Sequence, residues 1–202
     1  FFFFFFSAIP AHALAPNDPK YYLQEQSWNQ IGAPTAWNYT TGSNSVVVAI
    51  IDVGVDIRNR DLKDNVWKNS GEIPNNGLDD DGNGYIDDVN GWNFVDNNNQ
   101  VIPAINVQDE ANVITHGTLL AGVVGEAGNN NINGAGLNWK VKLMAIKAID
   151  NEGGGSLTDV AKAVDYAVRN GADIISLSFV GETTSKVLEE SLKNAYNHGV
   201  LV

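Results

Sequence analysis

Asp52 and His116 are the residues whose types and positions most clearly indicate chemistry in this chain. Asp52 follows the apolar run 46–51, and open α/β sheets bind ligands at the carboxyl ends of such strands. His116 precedes the small apolar run 119–124, so we expect it at the N-terminus of a buried helix, where the dipole favours the neutral imidazole of a general base. An Asp that orients an imidazole and a His that accepts a proton are two members of a serine-protease triad.

Neither residue identifies a triad by itself. A carboxylate at the end of a strand could equally bind a metal or a ribose hydroxyl, or cap a helix, and a single histidine is often structural. Gly54 permits a sharp turn after Asp52, and Gly117 allows neighbouring backbone to approach His116 closely. The rest of the sequence pattern must therefore decide how the pair is interpreted.

A second group of candidate residues lies in the acidic segment 76–88. Its polar residues alternate before Gly84 as in an EF-hand loop, although the twelfth position holds Asn90 in place of a bidentate glutamate. So many carboxylates in one loop repel one another unless a divalent cation neutralises them, so we expect Ca²⁺ there. The alternative is a solvated acidic turn. The candidate ligands are Asp79, Asp81, Asn83, Tyr85 through its carbonyl group, Asp87 and Asp88.

Strands and helices are expected to alternate around these residues. A continuous apolar run such as 46–51 is typical of a strand buried on both faces. The alternation predicts an α/β fold: a doubly wound, mostly parallel sheet with helices on both faces, incomplete at the C-terminus. Segment 67–113 is rich in Asn, Asp and Gly, and we expect a long loop. The predicted strands cover 46–51, 141–149, 173–178 and 200–202, and the predicted helices cover 21–28, 33–37, 119–124, 156–170 and 184–198.

Composition limits the classes of protein to be considered. The formal net charge of −12 argues against a nucleic-acid partner, because phosphate binding needs clustered Lys and Arg. The absence of cysteine excludes disulfides, thiolate catalysis and cysteine-ligated zinc. No segment approaches the roughly 18 apolar residues of a membrane span. We interpret residues 1–13 as the remnant of a signal peptide that ends in a small-x-small cleavage pattern; the alternative is a disordered or artefactual leader.

The Asp52 and His116 motifs, in this order and on this pattern of strands, resemble those of the subtilisin-like serine proteases. The resemblance covers nearly all of residues 16–202. It implies that Asp52 orients the base, that His116 is the base, and that the acidic segment is a calcium site inside an insertion at about 67–95. Other segments similar to the family are 17–19, 31–37, 91–96 and 134–137.

The same resemblance implies a substrate cleft and a second calcium site. Glycine-rich backbone would allow an extended peptide to pair with the cleft wall without side-chain clashes. The second calcium site, weaker than the first, would involve Asp61 and Asn130. The implied cleft residues are Gly153, Gly154, Gly155, Ser178 and Phe179.

The sequence departs from the usual family pattern at three places. Val53 replaces a Ser or Thr whose hydroxyl could bond the Asp52 carboxylate. Leu119 and Leu120 stand where His-Val is usual, and Val180 replaces a glycine, which would narrow the specificity pocket. These changes bear on efficiency and specificity more than on fold.

The nucleophile is expected outside this sequence. No Gly-Thr-Ser motif occurs, and the resemblance places the oxyanion-hole Asn and the nucleophilic Ser beyond Val202. We therefore expect residues 14–202 to be the N-terminal part of the peptidase domain of a secreted, monomeric endopeptidase that acts on polypeptides, inactive by themselves. The main alternative is a non-catalytic, calcium-binding module of the same family. A nucleotide-binding domain is disfavoured because no glycine-rich turn follows the first strand.

Overall fold

The computed structural model describes residues 14–103, 112–181 and 183–202, and the expected signal-peptide remnant at 1–13 lies outside them. A short 3-10 helix at Tyr21–Leu23 precedes the α-helices and strands. The helices are α1 (Glu25–Gln30), α2 (Ala33–Ala36), α3 (Asn112–Gly125), α4 (Leu157–Arg169) and α5 (Lys186–Asn197), and the strands are β1 (Gly42–Asp52), β2 (Gly91–Asn93), β3 (Lys140–Lys147) and β4 (Ile174–Leu177).

The four strands form one parallel sheet in the spatial order β2-β3-β1-β4. β1 lies between β3 and β4, and its last five residues are buried, as the apolar run predicted. Asp52 at the end of β1 pairs with Lys147 at the end of β3, so both strands finish at the same edge of the sheet. The strand predicted at 200–202 is present as a single parallel bridge between Leu201 and Ile174.

Alternate residues of β1 point into two different cores. Ile51 belongs to the cluster that includes Tyr166 of α4, on one face of the sheet. Ile50 belongs to the cluster that includes Ala121 of α3, on the opposite face. Because helices cover both faces, the part of β1 at 46–51 is apolar at every position, and the prediction of a mostly parallel α/β sheet is confirmed.

The two long helices after β3 begin where short polar side chains can cap them. Ser156 accepts a hydrogen bond from the backbone N–H of Thr158 at 3.2 Å, and Ser185 accepts one from Leu188 at 3.4 Å. Such a cap satisfies one of the free donors of the first turn. None of the helices in the described ranges is both long and apolar enough to cross a membrane.

The segment predicted as one long loop, 67–113, contains β2 and the start of α3. All three residues of β2 are buried, and the Trp92 ring lies 5.1 Å from that of Tyr85, centroid to centroid. A strand of three residues in an Asn-rich and Gly-rich sequence has no detectable periodicity. Pairing with β3, rather than local propensity, therefore creates β2.

Candidate active site

Asp52 and His116 are hydrogen-bonded to each other. The imidazole Nδ1 lies 3.0 Å from Oδ1 and 2.9 Å from Oδ2 of the carboxylate. The Asp52 side chain is 3% exposed, whereas that of His116 is 45% exposed. A buried carboxylate thus holds one ring nitrogen, and Nε2 on the other side of the ring is left for proton transfer.

Glycine at position 117 allows α3 to approach the end of β1. A Cβ atom on Gly117 would lie 2.3 Å from the carbonyl oxygen of Gly54 and 2.9 Å from Oδ1 of Asp52. The next residue, Thr118, accepts a hydrogen bond from the backbone N–H of Asp56 at 2.9 Å. The residues after the histidine therefore fasten the helix to the turn that follows the aspartate.

His116 lies further inside its helix than the sequence suggested. α3 begins at Asn112, so His116 is the fifth helical residue rather than the first. The effect of a helix dipole falls off within the first turn. The dipole therefore contributes less at His116 than the sequence suggested, and the hydrogen bond to Asp52 orients the imidazole.

The backbone around Asp52 fixes that carboxylate in place. The N–H of Val53 donates to Oδ1 at 2.8 Å. The Asp52 carbonyl accepts from the N–H groups of Ala148 and Ile149 at 3.0 and 3.2 Å. A backbone donor thus reaches the carboxylate even though residue 53 carries no hydroxyl.

A cavity of about 260 Å³ opens beside the pair. Of the predicted cleft residues, Gly153, Ser178 and Phe179 line it, and Gly154 and Gly155 do not. Ile149 is a lining residue that the sequence patterns did not indicate, because only the alignment of β3 beside β1 brings this residue, two positions after β3, next to Asp52. The full lining is Asp52, Val53, His116, Ile149, Gly153, Ser178 and Phe179.

The other two glycines shape the turn behind the cavity wall. The N–H of Gly154 donates to the carboxylate of Asp150 at 2.7 Å. A Cβ atom on Gly155 would lie 2.6 Å from Cδ1 of Ile149 and 2.9 Å from the carbonyl oxygen of Ala148. The glycine run is therefore required for the close approach of this turn to the end of β3.

The acidic loop, defined here as residues 72–90, brings three carboxylates together. Oxygens of Glu72, Asp81 and Asp88 all lie within 4.8 Å of one another. Asp88 is fully buried and accepts a hydrogen bond from the Tyr166 hydroxyl at 2.6 Å. Glu72 was missed in the sequence because it lies outside the EF-hand-like spacing.

The remaining predicted ligands of the acidic loop differ in how close they lie to these three carboxylates. The Asn83 amide donates to Asp81 and to Asp88 at 3.1 Å each, whereas Asp79 accepts from the backbone N–H groups of Asn83 and Gly84 at 3.1 and 2.8 Å. Tyr85 packs its ring against that of Tyr166, at 4.9 Å between centroids. The carboxylate of Asp87 instead accepts from the N–H groups of residues 76 and 77 at 3.1 and 2.9 Å, outside the three-carboxylate group.

Burial dominates the electrostatics of Asp88. It raises the pKa of the carboxyl group above its usual value, and the negative charge of Asp81 adds to this effect. Hydrogen bonds from Tyr166, Asn69 and Asn83 oppose the rise by stabilising the carboxylate. A bound cation would act in the same direction as those hydrogen bonds.

Asp61 and Asn130 meet in a second acidic group, which also contains Asp18 and Glu126. The Asn130 amide donates to Oδ1 of Asp61 at 2.7 Å, while the buried Oδ2 has no hydrogen bond of ordinary geometry among the described residues, although the Asn133 side chain lies near this carboxylate. Burial, and then the charge of Asp18, raises the pKa of Asp61; burial, and then the charges of Asp61 and Asp18, raises that of Glu126. A cation that prefers oxygen ligands would pair with a buried carboxylate oxygen that has no well-formed hydrogen bond. Asp18 and Glu126 were not foreseen as members, because neither lies near residue 61 in sequence.

The parallel sheet, with an Asp–His pair at the carboxyl edge of a central strand, is an α/β domain whose site fits two members of a serine-protease triad. A sequence model of the subtilase family matches residues 43–202. The chain belongs to the subtilase family.

Individual relatives agree with this assignment. Thermitase of Thermoactinomyces vulgaris is 32% identical over 187 residues, which are 93% of this chain and 56% of thermitase. Subtilisin-like protease 1 of Plasmodium falciparum is 35% identical over 158 residues, which are 78% of this chain and 22% of that protein. A protease from Pseudoalteromonas arctica PAMC 21717 has a similar structure, with a TM-score of 0.66 and 27% identity over 92% of this chain and 57% of that one. The chain thus spans less than two thirds of each relative.

Proposed function

We propose that this chain is the N-terminal part of the catalytic domain of a secreted, monomeric, calcium-stabilised serine endopeptidase. The observation that carries the proposal is the hydrogen bond between Asp52 and His116 beside an open cavity. Secretion is supported by the signal-peptide-like pattern at 1–13, and polypeptide substrates by the family. Gly153 on the cavity wall suits an extended peptide.

In the whole protein, Nε2 of His116 would take the proton of a serine hydroxyl as that oxygen attacks the peptide carbonyl. Asp52 would stabilise the imidazolium, which then protonates the leaving amine. Ser178 lines the cavity, but its hydroxyl lies 3.3 Å from that of Ser176, and the His116 imidazole is hydrogen-bonded to Asp52. We therefore assign the nucleophile to a serine outside these 202 residues.

Two acidic groups support calcium as a structural cofactor. Carboxylate and amide oxygens are the ligands that Ca²⁺ prefers. In the acidic loop, Glu72, Asp81 and Asp88 would hold one ion. The buried Oδ2 of Asp61 would bind a second, together with Asp18. Calcium at these sites would neutralise charge and stabilise loops, with no part in the chemical step.

Replacement of His116 tests the catalytic assignment directly. In the full-length protein, we expect His116→Ala to lower kcat for casein hydrolysis by about 10⁴-fold or more, because the base that activates the nucleophile is lost. His198→Ala is the matched control, since His198 is an exposed histidine that contacts the carbonyl of Asn194 at the end of α5. Equal activity of the wild type and His116→Ala would contradict the role of His116 as the base, and no activity in either protein would favour a non-catalytic, calcium-binding module.

A further inference from the structure

Lys147, the last residue of β3, is a buried cation that the triad mechanism does not use. It is 4% exposed, and the ion pairs among the described residues do not include it. Burial lowers the pKa of its ammonium group, while the charges of Asp96, Asp150, Glu152 and Asp52 oppose that shift. A buried ammonium is unfavourable unless its donors are all paired.

The three donors of the ammonium group reach three oxygens on both sides of the cavity. Nζ lies 3.1 Å from the carbonyl oxygen of Val53, 3.0 Å from that of Ile149 and 2.9 Å from Oδ1 of Asn151. An ammonium group has three N–H donors, so its capacity is fully used. Lys147 also pairs with Val53 through an isolated antiparallel bridge.

On the first side, the hydrogen bond to Val53 reaches the catalytic pair. The carbonyl of Val53 accepts from Lys147, and its N–H donates to Oδ1 of Asp52 at 2.8 Å. Fixing both polar groups of one residue fixes its backbone angles, and therefore the direction of the N–H that holds the carboxylate. That carboxylate in turn holds Nδ1 of His116.

On the second side, the bonds to Ile149 and Asn151 reach the cavity wall. Ile149 lines the cavity itself, and Asn151 begins the turn that leads to the lining residue Gly153. The N–H of Ile149 also donates to the carbonyl of Asp52. One ammonium group thus fastens the wall to the end of β1.

We infer that Lys147 is a positioning residue that holds the catalytic Asp52 and the substrate-binding wall at Ile149–Gly153 in one fixed arrangement. The inference rests on the proposed peptidase function for its kinetic consequences. The arrangement requires hydrogen-bond donors directed to three oxygens. A side chain of similar length without donors would leave the Val53 and Ile149 carbonyls buried and unpaired.

The test compares Lys147→Met and Asn151→Ala with the wild-type, full-length protein. Lys142→Met is the matched control, because Lys142 lies on the same strand and also donates to a backbone carbonyl, that of Asp64, at 3.0 Å. Rates are expressed per active site titrated with a serine-directed reagent, so that loss of folded protein does not count as loss of catalysis.

We expect Lys147→Met to lower kcat about 10- to 100-fold per titrated site, because small displacements of catalytic groups are costly. We expect Asn151→Ala to raise KM about three- to tenfold with kcat nearly unchanged, because only the wall loses a contact. Lys142→Met should match the wild type in both. A kcat for Lys147→Met within about twofold of the wild type overturns the inference. If Lys147→Met does not fold, an unchanged KM for Asn151→Ala overturns the inference instead.

A spectroscopic measurement separates this inference from the proposed function. The Nδ1 proton of His116, hydrogen-bonded to Asp52, should give a proton NMR resonance that moves or exchanges with water in Lys147→Met and stays in place in Lys142→Met. An unmoved resonance in Lys147→Met overturns the positioning role. If the wild-type protein hydrolyses no peptide, the proposed function fails, and the resonance still decides the role of Lys147.

Discussion

Val53 stands where the family resemblance implies a hydroxyl-bearing residue, yet its backbone N–H donates to Asp52 at 2.8 Å. The side chain of Val53 is 3% exposed and faces the same cavity as His116. At the residue scale, backbone groups therefore support the carboxylate. The lack of a hydroxyl at position 53 removes one additional hydrogen-bond donor and leaves the backbone donor in place. Glycine at position 117 is the stricter requirement, because any Cβ there would meet both Gly54 and Asp52.

We expect Gly117→Ala to lower kcat in the full-length protein by about 10- to 100-fold and to destabilise it by about 1–3 kcal/mol, because α3 must move away from β1. Gly122→Ala is the matched control on the same helix, since its Cβ would meet the flexible side chain of Glu126 at 3.1 Å. Kinetics per titrated site and denaturant unfolding measure the two effects. Similar kcat values for the two variants would refute this role of Gly117.

At the scale of elements, the acidic loop is joined to the sheet through α4. The hydroxyl of Tyr166, a buried residue of α4, donates to Asp88, and the Tyr85 ring stacks edge-on against the same tyrosine. The second acidic group joins the N-terminal segment to the loop that follows α3, because Asp18 accepts from the N–H groups of Asn129 and Asn130 at 2.6 and 3.0 Å. Neutralising the negative charge of either acidic group would therefore stabilise contacts between elements as well as the loop that carries the charge.

Calcium binding is expected to raise the free energy of unfolding by about 2.7 kcal/mol per site at a hundredfold excess over Kd. Thermal unfolding with and without Ca²⁺, together with calorimetric titration, measures the gain and the number of ions. Asp81→Asn and Asp61→Asn should each remove one bound ion. Asp159→Asn, which changes a partly buried acid paired with Lys162 on α4, should remove none. Unchanged stoichiometry in either of the first two variants would rule out the corresponding site.

At the scale of the whole molecule, charge is unbalanced. The chain has 24 acidic residues against 12 Lys and Arg, which gives the formal net charge of −12. A charge of this size destabilises the compact state through self-repulsion, and salt screens that repulsion over distances of about 10 Å at 0.1 M. Bound calcium and dissolved salt would therefore both reduce this repulsion. Calcium would act at the two acidic groups, and salt would act over the whole charged surface.

In the presence of a chelator, raising the salt concentration from about 0.01 M to 0.3 M should raise the Tm of the protein, because screening weakens the net repulsion. Tetramethylammonium chloride is the control for site binding, since that cation is too large for the carboxylate groups. Equal shifts in sodium and tetramethylammonium salts support screening. A Tm that stays constant in both salts would show that self-repulsion has no measurable effect on stability.

The patterns that depend on neighbouring residues were predictable. The apolar run 46–51 gave a central parallel strand, and helices 156–170 and 184–198 were placed to within about two residues because capping serines and glycine stops are local signals. Asp52 and His116 were paired from the order of their motifs, and the structure places them in hydrogen-bond contact.

The sequence by itself determined which residues can carry charge, bend the chain or fill a core, because those properties belong to each side chain and its near neighbours. Only the tertiary structure decided which distant residues meet. Glu72 joined the acidic loop while Asp87 turned to the backbone, Asp18 reached Asp61, and Lys147 came to join both sides of the cavity. The physical reason is that strand register and helix packing, rather than spacing along the chain, set the distances between these groups.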